Sequence, residues 1–366
     1  MLNVQLVMNN KGLIFIPDIS GFTRFVNEVE IDHSRYIIQE LLEVIINSNK
    51  IGLEISEIEG DAILFYKYGD VPDLQEVYEQ VEKMFCEFHK HLLTYDHRRF
   101  CQCKACTGAV ELTLKVITHY GEFAEYNVKT FNKLIGKDII VAHQLLKNDI
   151  EQHEYWLVTE GLAGNKIAGT LPERLNWNKS IKQTETGRIP FQYAQLSHLK
   201  NELPVVPRLQ LEIKNRKKVL SFYREYDAEI ISLLHGVVDF DTRKRWNVDI
   251  KDIDNVTDGA LSRLGTSHRC ILEKGQSIFY SSSYSFTPEK IEYSETDDKK
   301  TIAAYYTFTK ITDERTGLTV DLYLKKNPLT LAFFNLLEKK KLERTYQQSL
   351  QNLVEFMKEV KLPTHN

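Results

Sequence analysis

The sequence lacks a long apolar segment and an excess of charge of one sign. Its 366 residues contain no run of about 18 apolar residues, and no basic stretch precedes an apolar core near Met1. Neither a membrane-spanning helix nor a signal peptide is therefore predicted. Lysine and arginine number 47 against 51 acidic residues, which argues against a general nucleic-acid-binding surface. We expect a cytoplasmic protein with no nucleic acid among its partners.

Cysteine is also scarce, and its odd number argues against a disulfide scaffold. Only five cysteines occur, and three of them cluster as Cys101, Cys103 and Cys106. The preceding predicted helix, 72–95, carries His89 and His91, and His97 is close by. Three thiolates and one imidazole would suit a structural zinc ion. The spacing is tighter than in paired Cys-x-x-Cys knuckles, and no second knuckle follows. A reduced surface loop and a redox-responsive thiol cluster are the alternatives.

Two short segments each place an aspartate beside an apolar strand and a glycine. In 14–25, a strand delivers Asp18 at its end and a helix follows. In 57–65, a tight turn carrying Asp61 joins two strands. Two carboxylates at neighbouring strand ends can hold a pair of Mg²⁺ or Mn²⁺ ions, and N–H groups at a helix start can hold a phosphate. The candidate nucleotide ligands in these segments are Gly21, Phe22, Thr23, Glu57 and Gly60. The pattern predicts metal-assisted phosphoryl or nucleotidyl transfer.

These segments resemble the catalytic domain of the class III nucleotidyl cyclases, the adenylate and guanylate cyclase family. Two further landmarks follow in the family's order, at 115–122 and 131–145. The resemblance covers about half of the chain and implies an α+β domain of the ferredoxin-like cyclase type. It also implies that Asp18 and Asp61 bind Mg or Mn, that a nucleoside triphosphate is the ligand, and that two copies form a homodimer.

The transition-state residues of the family are replaced in this chain. Counted from Gly136, the position of the family's asparagine is Ile140 and that of its arginine is Gln144. Isoleucine cannot donate a hydrogen bond and glutamine carries no charge, so loss of the arginine alone predicts a cost of about 10³-fold in rate. Lys147 and Asn148, one turn further along the predicted helix 138–148, are candidates to replace these donors.

The pair that reads the base in the family is unusual as well. Glu57 stands where adenylate cyclases tend to have lysine, and Lys133 stands where they tend to have aspartate. A Glu–Lys pair has the adenylate-type charges exchanged, so it can accept from a guanine-like edge. The alternative is an ordinary ion pair at the domain surface.

The remaining elements predict two domains, 1–200 and 219–366, joined by a linker at 201–218. In the first, a segment at 165–188 lacks periodicity and is predicted to be an ordered insertion or a loop. In the second, a helix at 226–234 precedes alternating strands between 266 and 325, and a long helix begins near Pro328.

This order resembles the START-like, or helix-grip, family, in which an antiparallel β-sheet wraps a long C-terminal helix. The resemblance implies an apolar cavity for a hydrophobic small molecule. The many aromatic residues of this half suit such a cavity, although strand propensity alone would also enrich them.

Three functions follow from these observations. The first is an active, unusual cyclase that makes a cyclic nucleotide and is gated by a ligand in the second domain. The second is a cyclase-like signalling protein that binds nucleotide and metal and carries a hydrophobic-ligand sensor domain. The third is a carrier of hydrophobic small molecules. The two aspartates favour the first two functions, and the residues at 140 and 144 favour the second over the first.

Overall fold

The computed structural model describes residues 10–29, 31–100, 102–129, 131–164, 171–172, 175–184, 187–205, 213–255, 265, 267–272 and 275–359. The chain forms two units. Unit 1 comprises Met1–Tyr95 and Gly108–Val205, and unit 2 comprises Asp96–Thr107 and Val206–Asn366. The segment that carries the cysteine cluster therefore belongs to unit 2, although it lies in the first half of the sequence.

Unit 1 is built on a seven-stranded sheet of order β2-β3-β1-β4-β7-β9-β8, with a separate two-stranded ribbon, β5-β6. The strands are β1 Lys11–Ser20, β2 Glu54–Glu59, β3 Ala62–Tyr68, β4 Thr113–Glu122, β5 Ala124–Val128, β6 Phe131–Ile135, β7 Tyr155–Thr159, β8 Trp177–Thr184 and β9 Gly187–Gln195. The helices are α1 Phe22–Glu28, α2 Ile31–Asn47, α3 Leu74–Arg98, α5 Lys137–Leu146 and α6 Glu160–Ala163. Helix α4, Lys104–Gly108, belongs to unit 2 apart from its last residue. Short 3₁₀ turns lie at Ala109–Glu111 and Ser197–Glu202.

The central position of β1 explains its sequence. It pairs antiparallel with β3 on one side and with β4 on the other, and every residue from Gly12 to Ser20 is buried. A strand covered on both faces has a continuous apolar run rather than an alternation. The order β2-β3-β1-β4 with its intervening helices is a ferredoxin-like arrangement, so the α+β class expected from the sequence is confirmed.

Of the two alternatives for 165–188, the loop was wrong for part of that segment. Trp177–Thr184 forms the edge strand β8, which pairs antiparallel with β9. Its polar residues misled the sequence interpretation, because an edge strand with an exposed face needs no continuous apolar pattern. Residues 165–170, 173–174 and 185–186 of the predicted loop lie outside the described residues.

Unit 2 is a seven-stranded antiparallel sheet of order β10-β16-β15-β14-β13-β12-β11. The strands are β10 Arg216–Tyr226, β11 Ile250–Asn255, β12 Ser267–Leu272, β13 Gly275–Thr287, β14 Lys290–Asp297, β15 Ile302–Thr312 and β16 Arg315–Lys325. The helices are α7 Ile230–Val238, α8 Phe240–Trp246, α9 Pro328–Phe333 and α10 Lys339–Glu359, and a π-helical turn, Phe334–Glu338, joins the last two. Leu350, Leu353 and Phe356 of α10 share one buried cluster with Leu318 and Val320 of β16.

The helix predicted at 226–234 begins later than expected. Strand β10 continues to Tyr226, and α7 starts at Ile230. Glu229 is its N-cap, because its carboxylate accepts hydrogen bonds from the N–H groups of Ile231 and Ser232 at 2.8 and 3.0 Å. Glutamate is an uncommon N-cap residue, so the sequence carried no strong start signal there.

Candidate functional site

Asp18 and Asp61 lie at neighbouring strand ends in unit 1. Asp18 is opposite Ala62 in the β1–β3 pairing, and the N–H of Ile19 donates to the carbonyl of Asp61 at 2.9 Å. The β2–β3 turn bends at Gly60, whose φ of +63° is a left-handed conformation that favours glycine. This turn brings Asp61 beside the end of β1.

Both aspartates line a cavity of about 390 Å³, here called the aspartate cavity. Its ionisable lining residues are Asp18, Arg24, Glu59, Asp61, Lys115, His143, Lys147 and His153. Gly21, Phe22 and Thr23, at the start of α1, line it too. Of the residues predicted from the sequence, Glu57, Gly60, Lys133 and Asn148 are outside this lining. A volume of this size is in the range of small-molecule sites.

Burial sets the electrostatics of Asp18. The residue is only 8% exposed, and desolvation raises its pKa to about 6. The Lys115 ammonium opposes this rise, whereas the charge of Asp61 adds to it. Desolvation also raises the pKa of Asp61. Two carboxylates that are hard to ionise beside each other are a donor set that a divalent cation would stabilise in the charged form.

Lys115 is a member of this site that sequence reasoning did not single out. It faces Asp18 directly in the β1–β4 register, and its Nζ lies 3.4 Å from the Asp18 Oδ1. The same ammonium donates to the carbonyl of Leu146, near the end of α5, at 3.3 Å. Directly opposed residues of two strands share a face of the sheet. The proximity of Lys115 to Asp18 therefore follows from the pairing of β1 with β4, and no local sequence pattern indicates it.

Helix α5 is anchored to β4 by a buried histidine. The His119 ring contacts Asp138 Oδ1 at 3.1 Å through Nε2 and Thr159 Oγ1 at 2.6 Å through Nδ1. The other Asp138 oxygen accepts from the N–H of Glu122 at 2.6 Å. Gly121 leaves room for this carboxylate, since a Cβ there would lie 2.4 Å from the Asp138 Oδ2. His119 is thus a positioning residue for the helix that carries His143.

The residues proposed as replacement donors differ in position. Helix α5 ends at Leu146, so Lys147 and Asn148 do not continue it as predicted. Lys147 still lines the aspartate cavity. The Asn148 amide instead donates to Leu145 O and Tyr155 Oη, at 2.8 and 2.6 Å. Ile140, at the position of the missing asparagine, is 55% exposed. His143, one turn before Lys147, supplies a polar group that the sequence interpretation overlooked.

The predicted base-reading residues bind each other. The Lys133 ammonium donates to the Glu57 carboxylate, and the Tyr66 hydroxyl of β3 donates to Glu125 of the same ribbon at 3.1 Å. The Glu57 side chain is 16% exposed and that of Lys133 is 40% exposed. Glu57 and Lys133 are thus arranged as an ion pair, which is the alternative to base recognition. Either side chain could bind a base only after the ion pair had separated.

Two of the three clustered cysteines can be placed. Cys103 and Cys106 are buried, and their sulfur atoms lie within 4.8 Å of each other. The N–H of Cys106 donates to the Cys103 Sγ at 3.4 Å. Cys101 lies outside the described residues. Two sulfur atoms at this separation can bind one metal ion together.

Unit 2 contains a buried ion pair with unsatisfied neighbours. Arg243 Nη1 donates to both oxygens of Glu295, at 2.7 and 2.9 Å, and the Tyr293 hydroxyl donates to the same carboxylate at 2.5 Å. Within the described part of the chain, Arg243 Nη2 and both ring nitrogens of His268 have no hydrogen-bond partner. Desolvation lowers the pKa of His268 to about 4. Desolvation likewise raises the pKa of Cys270 to about 12, so its thiol stays protonated.

Comparison with known proteins finds similar proteins for part of the chain. Residues 38–155 match the model of a family described as "Protein of unknown function (DUF2652)". A segment of 126 residues, 34% of this chain, is 33% identical to "Uncharacterized protein Rv2561/Rv2562" of Mycobacterium tuberculosis. The match spans 58% of that relative's length.

Solved structures similar to this chain include nucleotidyl cyclase domains. One is the catalytic core of a rhodopsin-guanylyl cyclase with converted specificity in complex with ATPalphaS, with 13% identity and a TM-score of 0.38 over 51% of this chain and 96% of that one. Another is a bacterial light-regulated adenylyl cyclase, with 14% identity and a TM-score of 0.37 over 52% of this chain and 95% of that one. Because the identities are 13 and 14% and the TM-scores are 0.38 and 0.37, these similarities do not assign a function to the chain. In the part that the structure describes, no helix is long and apolar enough to cross a membrane.

Proposed function

We propose that unit 1 binds a nucleoside triphosphate together with a divalent cation in the aspartate cavity. The observation that carries this proposal is the position of Lys115 beside Asp18 and Asp61 in one cavity. Carboxylates attract the cation, and an ammonium a few ångströms away attracts phosphate oxygens. A cavity with only one of these charges would not match a metal–phosphate ligand.

The lining residues divide into two groups by charge. Asp18 and Asp61 would hold Mg²⁺ or Mn²⁺, and a bound cation of this kind would neutralise part of the phosphate charge. Lys115, Lys147 and Arg24 would bind phosphate oxygens that the cation leaves free. Arg24 forms an exposed ion pair with Glu111, and Lys147 is also exposed, so both side chains can adjust to the ligand.

Binding without rapid turnover is the function that this lining supports best. An exposed isoleucine at position 140 offers no donor to a developing charge, and Gln144 offers no positive charge. Asn148 is engaged in capping α5. We therefore infer a nucleotide-binding signalling protein, with an active, non-standard cyclase as the alternative. In that alternative, the donors would be Lys147 and His143, which line the cavity from α5 and the residue after it.

The test is binding and turnover measured on the full chain. Mn²⁺ titrated in the presence of each nucleoside triphosphate should bind to the wild type, whereas Asp18→Asn with Asp61→Asn should abolish binding. Asp70→Asn, which changes an exposed aspartate in unit 1, is the matched control. Mass spectrometry of the same mixtures detects any cyclic product.

The residues at 140 and 144 supply the deciding comparison. Ile140→Asn with Gln144→Arg restores the family's residue types. Cyclic product from the wild type would establish the active-cyclase alternative. Product from the double variant alone would identify a weakened cyclase. Absence of nucleotide binding in the wild type would contradict the proposal itself. The expected homodimer is checked in the same samples by light scattering with and without nucleotide.

For unit 2 we propose a START-like, helix-grip domain that holds a small, largely apolar ligand with one polar group. Its support is the element order, one strand, two helices, six strands and a long helix, in a single antiparallel sheet. A second support is that, among the described residues, Arg243 Nη2 and the His268 ring nitrogens make no hydrogen bond, although His268 Nε2 lies 3.6 Å from Glu295 Oε1. Buried polar groups without hydrogen bonds are costly unless something binds them.

A co-purifying ligand is the direct test of this second function. Native mass spectrometry of the full chain should reveal a bound small molecule, and Arg243→Met with Glu295→Leu should lose it while the unit stays folded. A folded wild type that carries nothing, and that binds no fluorescent fatty acid, would contradict the carrier and sensor functions. Regulation of unit 1 by such a ligand stays a prediction.

We further propose that Cys103 and Cys106 supply two thiolates to a structural zinc ion, with Cys101 predicted from the sequence as a third. Zinc near one equivalent per chain, measured by elemental analysis and lost in Cys103→Ser with Cys106→Ser, is the expected result. Metal-free wild-type protein whose thiols all react with a thiol reagent would instead support the reduced-loop alternative.

A further inference from the structure

The start of the C-terminal helix in unit 2 presents large apolar side chains outward. Leu329, Phe333, Leu336 and Leu337 are 82, 56, 82 and 62% exposed. Their spacing of four, three and one residues puts them along one side of a helix. We call these four residues the apolar stripe. Single exposed apolar residues are ordinary, but a contiguous stripe is typical of an interaction surface.

The helix is held to unit 2 by its other side. Phe334 is 4% exposed and belongs to the unit's buried cluster, against which Leu331 and Leu342 also pack. The π-helical turn Phe334–Glu338 begins at this buried residue. The apolar stripe therefore lies off the packed face, although the helix itself is firmly attached.

Lysines flank the apolar stripe at both ends. Lys325 and Lys326 precede it, and Lys340 and Lys341 follow it, all of them exposed. The N–H of Lys326 donates to the carbonyl of Asn215 at 2.9 Å, and its ammonium donates to the carbonyl of Lys214 at 3.0 Å. These bonds bring the basic run 214–218 to the same end of the unit.

We propose that the apolar stripe and its lysines form a docking surface for an anionic lipid membrane. An amphipathic helix with apolar residues on one face and lysines around it lies in the membrane interface, where the lysines reach anionic headgroups. A second copy of the chain fits less well, because a two-fold contact would place the lysine flanks against each other. The protein would bind the membrane surface without spanning it.

Vesicle co-sedimentation of the full chain tests this proposal. We expect binding to vesicles of phosphatidylcholine mixed with phosphatidylserine, weaker binding at high salt, and none to phosphatidylcholine alone. Lys340→Glu with Lys341→Glu should weaken binding by about tenfold or more. Lys299→Glu with Lys300→Glu, which reverses two exposed lysines on the β14–β15 turn, is the matched control and should change binding little.

Insertion of the stripe is tested separately. Leu336→Ser with Leu337→Ser should abolish binding, and Ile311→Ser, which changes an exposed apolar residue elsewhere in unit 2, should not. Phe333→Trp places an indole in the stripe, and brominated lipids should quench its fluorescence. Circular dichroism is the check that each variant is folded.

Three outcomes would overturn the proposal. The first is a folded wild type that does not bind anionic vesicles. The second is vesicle binding that survives the serine variant, which would be electrostatic adsorption without insertion. The third is a loss of self-association in the serine variant, measured by light scattering, without any vesicle binding by the wild type. That result would assign the stripe to a second copy of the chain.

Discussion

Replacing Asp18 by asparagine is expected to stabilise unit 1 at neutral pH while it destroys cation binding. The Asp18 carboxyl has a pKa of about 6 in the folded chain, against an ordinary value of 3.8, because it is buried. It is therefore harder to ionise in the folded protein than in the unfolded chain. The folded wild type loses stability as the pH rises through this interval, and asparagine, which does not titrate, avoids that loss.

The magnitude follows from the two pKa values. At about 1.36 kcal/mol per pH unit, the interval from 3.8 to about 6 corresponds to about 3 kcal/mol at full ionisation. The uncharged amide of the Asp18→Asn variant keeps the neutral shape that the folded site favours. The gain of the variant over the wild type should therefore be near zero below about pH 4, rise between about pH 4 and 6, and level off above about pH 7.

Hydrogen exchange of the full chain, followed by mass spectrometry, localises this effect to unit 1. Amides of β1 and β4 that exchange through unfolding of the unit should exchange about a hundredfold more slowly in Asp18→Asn than in the wild type at about pH 8. The two proteins are compared at the same pH, because the intrinsic rate of amide exchange depends on pH and is then the same for both. Asp70→Asn should show no such difference. Mn²⁺ should protect the wild type and leave the Asp18→Asn variant unchanged.

Two results would refute this reasoning. If Asp18→Asn is less stable than the wild type at the same alkaline pH, the Asp18–Lys115 ion pair contributes more than desolvation costs. If the difference in stability between Asp18→Asn and the wild type does not change with pH, the Asp18 carboxyl does not titrate between about pH 4 and 6. The experiment rests on a general expectation, namely that a functional site lowers the stability of a protein when its ligand is absent.

Three further predictions concern single residues. Lys115→Met should weaken triphosphate binding by about tenfold or more, because it removes a charge-assisted contact, and equal affinity in calorimetric titration would remove Lys115 from the site. Glu295→Gln should cost unit 2 about 3–5 kcal/mol, because it leaves Arg243 charged and buried; unchanged exchange rates in β14 would contradict this. Unit 2 should lose stability as the pH falls from 6.5 towards 4, because the His268 ring, with a pKa of about 4 when folded, takes up its proton more readily when unfolded. His268→Phe should remove this acid sensitivity from β12, and a variant as acid-sensitive as the wild type would show that another group causes it.

Local patterns determined much of unit 1 in advance. The apolar run before Asp18 and the Gly60 turn each depend on neighbours within a few residues, so the sequence predicts them directly. The strands of unit 2 were predictable for the same reason, since alternation and turn residues are local signals. The start of α7 and the end of α5 were not predictable, because α7 begins at an uncommon glutamate cap and α5 stops at Leu146 without a glycine signal.

The composition of the candidate sites was decided by tertiary structure. Lys115 meets Asp18 only because β4 pairs with β1 in one register, and a shift of one residue would turn its side chain to the other face. Arg243 and Glu295 are 52 residues apart, and neither has a local pattern that points to the other. Exposure of the apolar stripe is likewise a property of packing, because the sequence around Pro328 shows apolar residues but not which of them unit 2 covers. Strands and turns depend on residues that are close in sequence, so the sequence predicts them. Contacts between distant residues and their burial are determined only when the strands and helices have assembled.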